Sequence, residues 1–174
     1  MDEAGQSALF DAFLFFVVAL VASAAILAYT SLTLSESESE ARVEALSYAE
    51  DVRETLMQAT LNDPWYVNHT GAIVRLGPGI TVEGFLLDEL RLLAAGLPPE
   101  NFAAMNLVIL DMTKSLVRPP FSGGLGAASR GHVNVTELWL GDGTGPPSER
   151  FTASWVYETG DGNHVEIAVH LWYA

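Results

Sequence analysis

Residues 12–34 read AFLFFVVALVASAAILAYTSLTL, an uncharged apolar run with a single acid, Asp11, at its head. As a helix rising about 1.5 Å per residue, the run reaches roughly 35 Å, enough to cross a hydrocarbon core of about 30 Å. A globular domain of this size needs no such segment. The run therefore sets the class: the chain is anchored in a membrane, or it is packed into an assembly through one apolar helix. A cleaved secretory signal fits less well. Such signals open with basic residues, whereas this chain opens MDEAG. Ala22-Ser23-Ala24 resembles a small-residue cleavage site, but the apolar run continues past it through Ile26, Leu27, Tyr29, Leu32 and Leu34.

Downstream of the run the helical signal persists. No glycine or proline intervenes between Leu34 and Pro64. Ala41, Ala45, Ala49, Val52 and Leu56 recur at spacings of three and four, which puts an apolar stripe on one face, with acids on the other. Ser35 to Glu40, SESESE, is the weak stretch, because serine competes with the helix for backbone hydrogen bonds. The pattern predicts one helix over residues 9–61, ended by Asn62-Asp63-Pro64, since the residue before a proline is driven out of helical geometry. The acid Asp11 then falls in the first turn, where the helix dipole favours an anion.

Beyond Pro64 the character changes. Residues 72–76 and 80–83 read as short strands around Gly77-Pro78-Gly79. Leu86, Leu87, Leu90, Leu93 and Ala94 make a helical face over residues 86–95, with Gly96 as its stop. Residues 99–112 read as a short helix leading into a strand, with NLVILDM at 106–112 the strand-like part. Residues 119–130, rich in Pro, Gly, Ser and Ala, read as a loop, 131–140 as a strand and 141–148 as another loop. Phe151, Trp155 and Tyr157 share one face of a strand. Gly160-Asp161-Gly162-Asn163 turns it into another, where Val165, Ile167, Val169 and Leu171 alternate with Glu166, His170 and Trp172. The expected fold class is α+β: a long N-terminal helix, apolar then amphipathic, over residues 1–61, carrying a β-rich head over residues 62–174.

Composition narrows the function. The 174 residues carry a net charge of −14 and no cysteine. There is no basic footprint for nucleic acid, and no disulfide or thiol chemistry. Seven of the eight bases are arginine, Lys114 being the only lysine. His69, His132, His164 and His170 are scattered without metal-ligand spacing, and no phosphate loop or nucleophile elbow is present. Asp142 and Asp161 lie in Gly-rich turns, where turn formation explains them as well as Ca²⁺ binding does. The expectation is a non-enzymatic protein without cofactor or metal.

Gly5-Gln6-Ser7-Ala8-Leu9-Phe10-Asp11 and the apolar run behind them resemble the N-terminus of the type IV pilin family in its archaeal branch. The resemblance covers about the first 60 residues. It implies a filament subunit whose apolar helices bundle as the filament core. Its partners would be copies of itself, the membrane before assembly, and an assembly ATPase with its platform protein. It also implies a leader cut before the apolar run. A cut between Gln6 and Ser7 would make Asp11 the fifth residue of the mature chain, the position at which that family carries an acid. The residues before that cut, MDEAGQ, are acidic where the family's leader is basic.

Two roles for Asp11 follow from chemistry. It is an interfacial acid that reaches the headgroups, or it pairs with an amino terminus in an apolar assembly and sets axial register, since an unpaired buried charge is costly. Phe10, Phe13, Leu14, Val17 and Leu20 supply bulk for helix-core packing. Ala19, Ala22, Ala25 and Ala28 allow close helix approach. Asn68-His69-Thr70 and Asn134-Val135-Thr136 are glycosylation sequons, with Asn68 expected in a loop and Asn134 in a strand. The other reading of the same features is a single-pass anchor with an unpolymerised, ligand-binding ectodomain.

Overall fold

The absence of helix breakers after Leu34 has its counterpart in one continuous element, α1 (Glu3–Gln58). The computed structural model describes residues 3–131, 135–159 and 164–174, with side chains from residue 13 onward. The chain divides into two compact units, Met1–Val43 and Glu44–Ala174. The sequence reading put the boundary after residue 61, at the proline. The units instead meet inside α1, because residues 44–58 belong to the core of the second unit. Ala45, Ala49, Val52 and Leu56 of the expected stripe are all buried there, while Ala41 is exposed. The early start of α1 also places Asp11 about two turns inside the helix, beyond the reach of the dipole argument, which applies to the first turn alone.

In the second unit, β1 (Trp65–Val67) and β2 (Ile73–Arg75) form a small antiparallel hairpin. The expected partner of β2, residues 80–83, forms no strand. Thr81 caps α2 (Val82–Ala94), its side chain accepting from the Gly84 backbone N–H at 3.1 Å. A capping hydroxyl satisfies a helix N–H that would otherwise be orphaned, and this local gain outweighs the strand propensity of the Ile-Thr-Val sequence. Gly96 follows the helix with φ +90°, the left-handed conformation a C-terminal glycine supplies. A 3-10 turn (Pro99–Phe102) then leads into α3 (Ala103–Leu116). The strand expected over 106–112 is thus helical. Met105, Asn106, Ile109 and Thr113 form a buried stripe at helical spacing, which the apolar residues between them, Leu107 and Val108, conceal in the sequence.

The head sheet has strand order β4-β3-β6-β5 and is antiparallel throughout. Its strands are β3 (Phe121–Arg130), β4 (Val135–Leu140), β5 (Phe151–Glu158) and β6 (His164–Tyr173). The stretch read as a loop over 119–130 is therefore a central strand. Its glycines are dictated by neighbours. A Cβ at Gly123 would stand 2.7 Å from the Val117 side chain, and one at Gly124 would stand 2.6 Å from the Trp139 ring. Residues 160–163, expected to turn β5 into β6, lie outside the described residues.

One face of the sheet packs on the helices. Leu125, Val165, Ile167, Val169 and Leu171 are buried there against Leu56, Phe85, Leu86, Leu90 and Ile109. Val165, Ile167, Val169 and Leu171 of the last strand are buried as expected, while Ala168 and His170 between them are buried as well. Each fully buried aliphatic side chain in such a core contributes about 1.5–3 kcal/mol. Polar contacts fix residues 44–58 on this core. The Tyr48 hydroxyl donates to the Leu116 carbonyl and accepts from the Arg118 N–H, both at 2.9 Å. The Arg53 guanidinium lies 5.3 Å from the Trp155 ring centroid. Burial, with a hydrogen bond to Glu83, raises the pKa of the Tyr157 hydroxyl above its ordinary value. The fold is α+β, with a long N-terminal helix and a β-rich C-terminal head.

Candidate functional site

The chemistry of the first unit lies in what its side chains do not touch. From Phe13 to Val43 every residue is exposed. A window of mean hydropathy 2.4 lies in this helix with none of it buried, long and apolar enough to cross a membrane. Consecutive residues such as Phe15 (76% exposed) and Phe16 (63%) point in different directions from the axis, so the apolar surface encircles the helix. Three of its hydroxyls are satisfied within the helix. Ser23 donates to the Ala19 carbonyl at 2.8 Å, Thr30 to Ile26 at 3.0 Å and Thr33 to Tyr29 at 3.1 Å. These three hydroxyls therefore need no partner outside the helix, which suits an apolar medium of lipid or of other helices.

Of the residues marked by sequence, Phe13, Leu14, Val17, Ala19, Leu20, Ala22, Ala25 and Ala28 all lie in this exposed segment. Gln6, Ser7, Phe10 and Asp11 fall within α1, but their side chains lie outside the described residues. Asn134 is outside them as well. Asn68 sits at the mouth of the β1–β2 turn. Its Oδ1 accepts from the Thr70 N–H (2.9 Å), the Thr70 hydroxyl (2.7 Å) and the Ala72 N–H (3.0 Å). That Asx-type network fixes the sequon and leaves the Asn68 Nδ2 without a protein partner among the described residues.

The second place with chemistry is the face of the head sheet turned away from the helices. Sequence reasoning left it unread, because its floor lies in the stretch taken for a loop. The register puts Glu137 and Glu166 on either side of Ala128, and Trp139 and Ala168 on either side of Gly126. These side chains share one face, since residues paired across a ladder do. The Trp139 indole occupies the space where Cβ atoms of Gly124 and Gly141 would stand. Its ring centroid is 5.7 Å from His170 and 6.4 Å from Trp172. The Thr152 hydroxyl and His170 Nδ1 are 2.9 Å apart. Burial and the nearby Arg150 lower the His170 pKa, which keeps the ring neutral near pH 7. A cavity of about 670 Å³ lies over this floor, bounded also by Arg130, Arg150 and the Thr144-Gly145-Pro146 loop. The alternating Glu166, His170 and Trp172 on the last strand were the one legible sign of it.

The head also holds one buried acid. Glu89 on α2 is fully buried, and its Oε1 accepts from Asn106 Nδ2 on α3 at 2.7 Å. Burial pushes its pKa up to about 7, and the Asn106 bond offsets part of that rise. Glu89 Oε2 and Asn106 Oδ1 have no hydrogen-bond partner among the described residues. Asp142 pairs with Lys114 at 3.0 Å, and Asp161 lies outside the described residues. No cluster of His, Asp or Glu fit to hold a metal ion occurs among the described residues. Comparison with protein-family models, with curated proteins and with solved structures returns no match.

Proposed function

We infer that the chain is a structural subunit of an extracellular filament of the type IV pilus kind, assembled through its N-terminal apolar helix. The observation that carries this reading is the apolar surface encircling α1 from Phe13 to Leu34, none of it covered by the rest of the chain. In water such a surface requires burial at about 25 cal/mol per Å² of apolar area. A bilayer supplies that burial before assembly, and neighbouring copies supply it in a filament. Against lipid the hydrophobic gain vanishes, so packing at Ala19, Ala22, Ala25 and Ala28 has to hold the product. On this reading Asp11 sets register, Asn68 and Asn134 carry glycans, and the head lies at the cell surface. An assembly ATPase and its platform protein supply the work of extraction from the membrane.

The test is electron microscopy of material sheared from cells, with the N-terminus of the protein sequenced, repeated for Asp11→Ala. Filaments made of this chain in wild type, and none or disordered ones in the variant, are the expected result. Normal filaments from Asp11→Ala remove the registry role, and wild-type cells without filaments of this chain remove the reading. A single-pass anchor with a binding ectodomain is the second reading. It is favoured by the uniformity of the apolar surface, since a lipid-facing helix needs no preferred face.

A further inference from the structure

We propose that the cavity on the outer face of the head sheet is a saccharide-binding site, sized for one or two neutral sugar units. Its floor is built from residues with little or no side chain, Gly126, Ala128 and Ala168, which lets a ligand approach the sheet closely. Its walls are polar in both senses. Glu137 and Glu166 accept hydrogen bonds. Arg130 and Arg150 donate them. His170 adds one more function. With Nδ1 engaged by Thr152, its Nε2 stands over Gly126, 3.0 Å from where a Cβ would be. The indole of Trp139 supplies an aromatic surface beside these groups, lying across glycine backbone that leaves it room.

The charge balance selects the ligand class. Two carboxylates face two guanidiniums, and the imidazole is neutral, so a charged ligand gains on one wall what it loses on the other. A neutral ring bearing several hydroxyls and an apolar C–H face uses all three components: acceptors, donors and aromatic ring. The volume of about 670 Å³ lies within the range of small-molecule sites and excludes a long chain held along its whole length. Every residue of this site belongs to the second unit, Glu44–Ala174.

The experiment uses the full chain in lipid nanodiscs, since sugar-headed detergents would carry the ligand. Saturation-transfer NMR and calorimetry are run with glucose, galactose, mannose, N-acetylglucosamine, maltose and cellobiose. Adenosine and tri-alanine serve as competing classes. At least one sugar is expected to bind saturably with a dissociation constant of about 1 mM or tighter. Glu137→Gln and Glu166→Gln are expected to weaken it tenfold or more with unchanged melting temperature, while Arg91→Ala is expected to leave it unchanged. Four results overturn the proposal: no saturable sugar signal, tighter binding of adenosine or tri-alanine than of any sugar, sugar binding indifferent to both glutamate variants, or equal loss in Arg91→Ala.

Discussion

Glu89 shows how far one side chain departs from what its position in the sequence announces. It follows Leu86 and precedes Leu90, so the helical face that buries those leucines buries it too. A carboxylate there would be unpaired with any cation, and the chain keeps the proton instead. Protonation turns Oε2 from an acceptor into a donor, which gives it and the unpartnered Asn106 Oδ1 complementary roles. The linkage follows in sign from the raised pKa. The folded state holds the proton up to about pH 7 against an ordinary value of 4.5. The site's stabilising contribution is therefore complete below about pH 4.5 and is lost as pH rises towards 7, by about 3 kcal/mol in all. Glu89→Gln, which keeps a donor on that side at every pH, should match wild type near pH 4.5 and exceed it increasingly towards neutrality. Urea unfolding at a series of pH values reads this directly, and parallel curves for the two proteins would refute it. The helix around Glu89 was legible from its leucines. The acid's burial was not, because it depends on Asn106, on a separate helix.

At the scale of elements, sequence and structure part company where information is non-local. The long helix, α2 and the last two strands declare themselves through internal periodicity. β3 does not: FSGGLGAASR reads as a loop because glycine and serine seldom build strands. Its reasons lie in β4 and β6, whose Trp139 and Leu171 fill the space its side chains would need. Gly124→Ala should accordingly cost about 1–3 kcal/mol through overpacking against the indole. Gly145→Ala, with nothing within 4 Å of its Cβ, should leave the melting temperature nearly unchanged. Equal effects in the two would mean that β3 is not packed as described. α3 hid differently, its exposed Leu107 and Val108 masking the helical period. The apolar half of α1 demands a cover of lipid or of other helices. Replacing Ala19, Ala22, Ala25 and Ala28 singly by Leu discriminates between lipid and protein surroundings. Lipid tolerates the added bulk on any face, whereas close-packed helices meet about 1–3 kcal/mol of strain. At least one variant should insert in membranes yet fail to assemble. Four inserted variants that behave as wild type, all as detergent-soluble monomers, would favour the anchored ectodomain.

The whole molecule combines a unit with no buried side chain among its described residues and a unit with a closed core. The cell-surface reading has a direct test in topology. Protease added to intact cells should cut the head, and mass spectrometry of native material should find glycans on Asn68. Full protection of the head would place it inside and end the cell-surface reading. The strand order carries a further consequence for biogenesis. β6 comes after β3, β4 and β5 in the chain yet lies between β3 and β5. Until it leaves the ribosome, β3 and β5 each have an open edge and the aliphatic layer has no centre. The apolar run ends at Leu34 and β6 begins at His164, a delay on the order of ten seconds at about 5–20 residues per second. A segment long and apolar enough to cross a membrane is thus complete well before the head can close. A head destined for the outside would cross as unpaired strands, with its fold postponed until the far side.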